Sequence, residues 1–262
     1  MIRHITSREN EYFKLARSLA SGRGIRENGL FVIEGPKLLD EALQTNAPVH
    51  SVTFGDKSAG TFGSLIQTCE NRGIPVYAMP EAMISQVCGT ETPQGLFALA
   101  RTPSFALPEA LETLGGRIIA LDAVQDPGNL GTILRCAAAF ACSAVLIGKG
   151  CASPLNPKVI RSGMGAIFRI PVHECGELPE TLERFSTHNY QIIAGHLAGT
   201  PTRPVLTDKT VLVIGNESRG ISREAVERCT LLWRLNMPGH MESLNASVAA
   251  GIMMYELFAR NN

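Results

Sequence analysis

The sequence predicts an α/β protein with a small N-terminal α/β domain and a larger C-terminal domain built on a parallel sheet. Short apolar runs alternate with segments of helical periodicity along the 262 residues. In the second half these apolar runs are continuous, which is typical of strands that are buried on both faces of a parallel sheet. Turn formers and two prolines interrupt the periodicity at 102–108. We therefore predict two domains, 1–104 and 105–262.

The N-terminal domain is predicted to begin with a helix at 10–20 and then to alternate strands and helices. Gly35 and Pro36 break the first strand, and Pro36 suits the first turn of the next helix, where a backbone N–H has no helical partner. The predicted strands are 30–34, 49–54, 75–79 and 95–100, and the later helices are 37–43, 64–71 and 81–87. This alternation is the pattern of a small α/β domain.

The C-terminal domain is predicted to be a doubly wound parallel sheet. Its apolar runs predict buried strands at 117–124, 144–148, 168–172, 191–195, 211–215 and 231–237. Helices are predicted between most of them, at 130–141, 179–185, 222–229 and 243–259. Ligands of such sheets bind at the carboxyl ends of the strands, and the polar motifs of this sequence follow those ends.

Composition excludes several classes of protein. The 45% hydrophobic and 18% charged residues are typical of a globular protein with a full core. No apolar run is long enough to cross a bilayer, and the N-terminus lacks the apolar region of a secretory signal. The seven cysteines never form C-x-x-C, and the six histidines have no ligand spacing. We therefore expect a cytoplasmic protein with reduced thiols, no membrane contact and no metal site.

The charge is formally zero overall but uneven along the chain. A protein that binds RNA through phosphates should be basic somewhere, and the candidate RNA-contacting residues crowd the N-terminus: Arg8, Lys14, Arg17, Arg23 and Arg26. The same run is compatible with a solvated helix face.

The first candidate motif, DPGNLGTILR, follows the predicted strand 117–124 and extends from Asp126 to Arg135. Its glycines permit a close backbone approach, and Asn129 is a candidate N-cap for the following helix. Taken alone, the segment is explained by a capped helix whose arginine snorkels or pairs with an acid.

Two further motifs follow later strands. The segment 213–221, VIGNESRGI, puts Glu217 in a glycine-bounded turn, which an ordinary polar turn also explains. The segment 235–249, LNMPGHMESLNASVA, leads into a long apolar final helix. Ser243 is the candidate N-cap of that helix, and Asn245 is predicted in its first turn. His240 could touch substrate, although exposed loop polarity explains it as well.

In this order and at these strand ends, the three motifs resemble the signatures of the SpoU (TrmH-like) family of SPOUT RNA methyltransferases: D-P-x-N-x-G-x-x-x-R, G-x-E-x-x-G and I-P-M-x-G-x-x-x-S-L-N-x-S. The N-terminal segments FVIEG (31–35) and TPQGL (92–96) resemble the substrate-binding domain that often precedes it. Three motif positions depart from the family pattern, and none is a predicted catalytic residue: Ser218, Asn236 and Ala246.

The resemblance implies an L30e-like N-terminal domain and a C-terminal domain whose chain forms a trefoil knot. It also implies S-adenosylmethionine as cofactor and a homodimer with its active sites near the subunit interface. The implied catalytic residues are Asn129, Arg135, Glu217, Ser243 and Asn245. The implied cofactor neighbours are Gly195, Ile214, Gly215, Leu235 and Leu244.

The implied reaction is transfer of a methyl group to a ribose 2′-hydroxyl, in ribosomal RNA rather than transfer RNA. A sulfonium methyl group is already activated, so the protein must align the hydroxyl and help to remove its proton. A guanidinium is effectively never neutral, so we expect Arg135 to grip a phosphate and stabilise the developing alkoxide rather than act as the base.

Four alternatives stay open. A dinucleotide-dependent oxidoreductase would use a similar sheet, but no G-x-G-x-x-G follows any strand, and no Walker loop is present. A non-catalytic RNA-binding protein of the same fold would be separated from an enzyme by a cofactor-binding assay. Within the methyltransferases, the substrate could be transfer RNA, and the neutral net charge leaves room for a substrate other than RNA.

Overall fold

The computed structural model describes residues 2–89, 92–239 and 241–260. The chain forms two compact units, Met1–Pro103 and Ser104–Asn262. Among the described residues, one sheet has five strands and the other has six. The predicted α/β fold class with a parallel sheet is confirmed.

The N-terminal unit contains a mixed sheet with the strand order β1-β4-β3-β5-β2. Its strands are β1 (Arg3–His4), β2 (Leu30–Glu34), β3 (Val49–Gly55), β4 (Val76–Met79) and β5 (Leu96–Arg101). Its helices are α1 (Glu11–Ser18), α2 (Gly22–Asn28), α3 (Pro36–Gln44), α4 (Gly63–Asn71) and α5 (Glu81–Cys88). Strand β5 runs antiparallel to both β2 and β3, whereas β4 runs parallel to β1 and β3.

The helix predicted at 10–20 corresponds to α1, and a second short helix, α2, follows it. The Asn10 side chain accepts a hydrogen bond from the Tyr12 N–H at the start of α1. A second N-cap, Ser21, accepts one from the Gly24 N–H and begins α2. Because the second capping residue, Ser21, follows shortly after α1 ends, the chain forms two short helices rather than one longer helix.

The C-terminal unit contains a six-stranded sheet with the order β11-β9-β10-β6-β7-β8, and every pair in it is parallel. Its strands are β6 (Arg117–Leu121), β7 (Ala144–Gly148), β8 (Val172–Gly176), β9 (Gln191–Thr200), β10 (Thr210–Ile214) and β11 (Leu231–Trp233). Its helices are α6 (Pro127–Ala139), α7 (Pro157–Gly163), α8 (Leu178–Thr187), α9 (Arg223–Val226) and α10 (Ala246–Met254).

Alternate residues of the central strands enter two separate cores, one on each face of this sheet. Ile119 of β6 joins the core that contains residues of α6 and α10. Its neighbour Ile118 joins the core that contains residues of α8 and α9. Strands covered on both faces are apolar throughout, which is why the sequence shows continuous apolar runs here.

The structure corrects two predicted elements of this unit and adds a helix that was not predicted. The predicted strand 168–172 is wrong, because Ala166–Phe168 forms a 3₁₀ turn and β8 begins only at Val172. Ile170 is nevertheless buried and belongs to a core without being in a strand. Helix α7, which Asn156 caps, was not predicted. The final helix begins at Ala246 rather than 243 and continues into a π turn, Tyr255–Ala259.

Within the described part of the chain, no helix is both long enough and apolar enough to cross a membrane.

Candidate active site

A pocket of about 340 Å³ lies at the carboxyl ends of β9 and β10. This volume is within the range of ordinary small-molecule sites. All five residues predicted as cofactor neighbours line it: Gly195, Ile214, Gly215, Leu235 and Leu244. Two of the predicted catalytic residues, Glu217 and Ser243, line it as well. A larger cavity of about 710 Å³ at the amino ends of β6 and β10 contains none of the motif residues.

Two glycines of the pocket let main chain and side chains approach closely. A Cβ atom at Gly215 would overlap the backbone of Gly220 and Ile221. One at Gly195 would lie 2.8 Å from the sulfur of Met253 in α10. Gly215 therefore requires glycine for space, whereas a larger residue at Gly195 would make the flexible Met253 side chain move.

The turn after β10 holds Glu217 at the pocket. Two backbone hydrogen bonds of 2.9 and 3.0 Å join Asn216 and Gly220 and close the turn. Inside it, Asn216 Oδ1 accepts hydrogen bonds of 3.0 Å from the N–H groups of Ser218 and Arg219. Asn216 Nδ2 donates to the carbonyl of Ala123 at 2.7 Å. This buried amide fixes the turn and ties it to the loop after β6, a role that the sequence did not indicate.

The carboxylate of Glu217 accepts hydrogen bonds from the first motif. Its Oε1 accepts from the Asp126 N–H at 3.0 Å and from Asn129 Nδ2 at 2.9 Å. Its Oε2 accepts from the Gln125 N–H at 3.2 Å. Desolvation raises the pKa of Glu217, but these hydrogen bonds outweigh it and hold the pKa below the ordinary value. The group is therefore an anion at neutral pH.

A chain of side-chain hydrogen bonds continues from Glu217 to the final helix. Asn129 Oδ1 accepts from Asn245 Nδ2 at 2.9 Å. Asn245 Oδ1 in turn accepts from the N–H groups of Ser247 and Val248 and caps α10. We refer to Glu217, Asn129 and Asn245 as the polar triad. It joins three strand-end motifs that are 88 and 116 residues apart along the chain.

Two of the predicted capping roles are wrong. Asp126, not Asn129, caps α6, because its Oδ1 accepts from the Asn129 N–H at 2.8 Å. Asn245, not Ser243, caps α10. Both asparagines were predicted as catalytic; Asn129 lies inside α6, and Asn245, predicted in the first turn of the final helix, is its N-cap.

Arg135 is separate from the other four predicted catalytic residues. It is exposed on α6, does not line the pocket and makes no hydrogen bond or ion pair within the described residues. Another cation, Lys158, contacts the first motif. Its Nζ lies 3.0 Å from Asp126 Oδ2, and the backbone N–H of Asn129 and then Lys158 hold the pKa of Asp126 below the ordinary value.

The five basic residues predicted to contact RNA are all exposed in the N-terminal unit. Two of them pair with acids, Lys14 with Glu9 at 2.9 Å and Arg23 with Glu27 at 2.7 Å. Arg17 lies over the ring of Phe13 at 5.8 Å. Local acids therefore offset part of the positive charge that the sequence suggested.

Within 2–89, 92–239 and 241–260, no three His, Cys, Asp or Glu side chains are grouped as metal ligands. His240 of the third motif lies outside the described residues.

Comparison with known families agrees with this geometry. The model of the SpoU rRNA Methylase family matches residues 116–255, which contain the pocket and the polar triad. A second model, RNA 2′-O ribose methyltransferase substrate binding, matches residues 32–106. The chain belongs to the SpoU rRNA methylase family. The predicted enzyme class, an S-adenosylmethionine-dependent RNA 2′-O-ribose methyltransferase, is thereby confirmed.

Individual members of this family match the chain over nearly its whole length. It is 32% identical to the 23S rRNA (guanosine(2553)-2′-O)-methyltransferase RlmP of Bacillus subtilis, over 98% of this chain and 99% of that protein. An AdoMet-bound rRNA methyltransferase from Sinorhizobium meliloti superposes with a TM-score of 0.82 at 28% identity, over 97% of each chain. A putative TrmH-family RNA methyltransferase from Porphyromonas gingivalis gives 0.81 at 30% identity, over 95% of this chain and 97% of that one.

Proposed function

We propose that this SpoU-family protein methylates a ribose 2′-hydroxyl in ribosomal RNA. The observation that carries this proposal is the polar triad, which joins all three motifs beside a pocket lined by every predicted cofactor neighbour. The names of the relatives from Bacillus subtilis and Sinorhizobium meliloti favour ribosomal over transfer RNA. A ribosomal RNA substrate is consistent with a cytoplasmic location.

The residues that line the pocket suit S-adenosylmethionine. Ile214, Leu235, Leu244 and Met253 provide apolar surfaces for an adenine ring, and the glycine-rich backbone provides hydrogen-bonding groups. Glu217 lies at the same pocket and supplies a negative charge. When bound, the cofactor supplies an electrophilic methyl group on a positively charged sulfur.

Glu217 is proposed to act as a fixed anion rather than as the base. Its two oxygens already accept hydrogen bonds from Asn129, Gln125 and Asp126, and these bonds lower its pKa. An anion held in this way favours positive charge in the pocket without having to reorganise. Asn129 and Asn245 keep the carboxylate in position, and Ser243 is exposed at the rim, where its hydroxyl can hydrogen-bond to the substrate.

Arg135 is proposed to bind a phosphate next to the reacting ribose. It has no acidic partner among the described residues, so its charge is available to an anion. A guanidinium presents several N–H donors and retains its charge, which suits phosphate binding and stabilisation of an alkoxide.

We propose that the protein is a homodimer formed through α10 and the residues beside it. Four apolar residues on one face are substantially exposed: Leu244 (39%), Val248 (49%), Ile252 (41%) and Tyr255 (48%). Val248, Ile252 and Tyr255 are spaced by four and three residues, which puts them along one side of α10 and its continuation, and Leu244 directly precedes the N-cap Asn245. Residues of α6 and α10 share one core, so a second copy on this face would also lie close to α6, the helix that carries Arg135.

Methyl transfer to purified RNA tests the proposed function. The protein is incubated with radiolabelled S-adenosylmethionine and with ribosomal or transfer RNA from a host that lacks it. We expect label in ribosomal RNA and none above background in transfer RNA. Label in transfer RNA alone would overturn the proposed substrate, and cofactor binding without label in either RNA would overturn the proposed reaction on these RNAs.

A further inference from the structure

Two arginines line the cofactor pocket and have no role in the chemistry described above. Arg219 lies in the turn after β10, and Arg234 follows β11 directly. Both side chains are exposed, and neither makes an ion pair within the described residues. The pocket thus has two positive groups in its lining besides the anionic Glu217.

Glu217 does not neutralise these arginines. Its oxygens accept hydrogen bonds from Asn129 and from the backbone of the first motif, not from either guanidinium. Among the described residues, no other acidic side chain lines the pocket. An anion that enters the pocket would therefore meet two charges with no competing partner.

Both arginines are anchored through their backbone. The Arg219 N–H donates to Asn216 Oδ1 at 3.0 Å, inside the same closed turn that presents Glu217. The Arg234 N–H donates to the carbonyl of Thr200 at 3.0 Å, at the end of β9. The two side chains therefore begin from fixed positions on two different walls of one pocket.

The charges of the cofactor determine which of its groups can face these arginines. S-adenosylmethionine carries a sulfonium, an ammonium and one carboxylate, and only the carboxylate is negative. Cations placed beside the sulfonium would oppose binding, whereas cations beside the carboxylate would favour it. We propose that Arg219 and Arg234 bind the carboxylate of the methionyl group and so orient the sulfonium towards Glu217. This inference rests on the proposed function, because it requires that cofactor.

An RNA phosphate is the competing anion for these arginines. The carboxylate is favoured because both arginines share the pocket with all five predicted cofactor neighbours. The cation proposed for the phosphate, Arg135, does not line that pocket.

Decarboxylated S-adenosylmethionine separates the two anions, because it retains the sulfonium, ammonium and adenosine but lacks the carboxylate. Dissociation constants for both compounds are measured by calorimetry without RNA. We expect the wild-type protein to prefer S-adenosylmethionine by about tenfold or more, the range of a charge-assisted hydrogen bond. In the Arg219→Gln/Arg234→Gln double variant, the charge-assisted hydrogen bonds to the carboxylate are lost, so the preference should fall to about twofold or less.

Matched variants guard against an indirect effect. Arg219→Lys/Arg234→Lys retains both charges and should retain most of the preference. Arg223→Gln removes a nearby exposed arginine that pairs with Glu227 outside the pocket, and it should bind both compounds like the wild type. Thermal melting of each variant checks that it is folded.

The remaining outcomes distinguish the inference from the proposed function. A folded double variant that keeps the wild-type preference overturns the inference, and a raised KM for RNA in that variant would assign the arginines to phosphate. Wild-type protein that binds both compounds equally also overturns the inference but leaves the proposed function standing. Wild-type protein that binds neither compound contradicts the proposed function itself.

Discussion

At the scale of single residues, the final helix determines the direction of the hydrogen bonds in the polar triad. Asn245 Oδ1 accepts from the Ser247 and Val248 N–H groups, so its Nδ2 must be the group that donates to Asn129. Asn129 then has its Oδ1 occupied and turns its own Nδ2 to Glu217. The cap of one helix thereby orients the amide that holds the carboxylate. The motifs predicted which residues form the site, but only the structure gives the direction of the hydrogen bonds between them.

Substitutions of Asn245 should separate capping from positioning. Asn245→Asp keeps an oxygen that can cap α10 but loses the donor to Asn129, so we expect a melting temperature near that of the wild type and a kcat lowered by about tenfold or more. Asn245→Ala loses both functions, and its free energy of unfolding should also fall by about 1 kcal/mol. Chemical denaturation and single-turnover methylation measure the two effects. A fully active, stable Asn245→Asp variant would contradict the proposed role of the triad.

The lowered pKa of Glu217 predicts how stability depends on pH. A carboxyl group with a lower pKa in the folded than in the unfolded state stabilises the protein above its unfolded pKa, and this contribution is lost as the pH falls through the folded pKa. The difference in unfolding free energy between the wild type and Glu217→Gln should thus be constant near neutral pH and shift against the wild type below the ordinary carboxyl pKa of 4.5. Urea titrations from pH 7 downwards measure this difference. If this difference in unfolding free energy did not change below that pKa, the folded protein would not favour the charged form of Glu217.

At the scale of secondary structure, strands that are continuous apolar runs could be predicted well, whereas short capped helices could not. The predicted strand 144–148 matches β7, Ala144–Gly148, because both of its faces are buried. Helix α7 has only seven residues, too few to show a clear period, and its signal is the cap and proline at 156–157. The run 168–172 misled the prediction, because burial at Ile170 arises from a turn rather than from a strand.

The exposed face of α10 yields a prediction about assembly. Val248→Glu or Ile252→Glu puts a charge in the proposed interface, where burying it without a partner is costly. We expect either variant to sediment as a monomer at concentrations at which the wild type sediments as a dimer. Val205→Glu is the matched control, since Val205 is 89% exposed in the same unit and is not one of the four residues of this face. A monomeric wild type, or dimeric variants of both residues, would refute the proposed interface.

At the scale of the whole molecule, the sequence motifs predicted more of the site residues than the pattern of strands and helices did. The family resemblance of the motifs predicted the pocket glycines and the members of the polar triad. These residues meet in the structure because a parallel sheet brings the ends of distant strands together at one edge. The role of Asn216 was not predicted, because asparagine is common in turns and its presence in one does not indicate a function. The trefoil knot stays a prediction, as does RNA binding by the basic N-terminal residues.

The basic residues of the N-terminal unit predict a salt-dependent contribution to RNA binding. Arg8→Gln, Arg17→Gln and Arg26→Gln each remove an exposed cation that no described acid pairs with. We expect the triple variant to bind RNA more weakly and with a shallower dependence on salt, by about one unit of slope for each phosphate that is no longer neutralised. Its affinity for S-adenosylmethionine should be unchanged. Lys14→Gln, whose charge already pairs with Glu9, is the control and should have a smaller effect. An unaltered salt slope would show that these residues do not bind the RNA.

The most direct test of the central claim is to identify the methylated nucleoside. Ribosomal RNA from a strain lacking the protein is treated with the wild-type enzyme or with Asn129→Ala, hydrolysed with alkali and analysed by mass spectrometry. A methyl group on a 2′-oxygen blocks cleavage at the next phosphate, so we predict an alkali-resistant methylated dinucleotide with the wild-type enzyme. The yield should be at least about tenfold lower with the variant, which lacks the Glu217 hydrogen bond. A methylated base in place of the methylated ribose, or equal yields from both proteins, would contradict this mechanism.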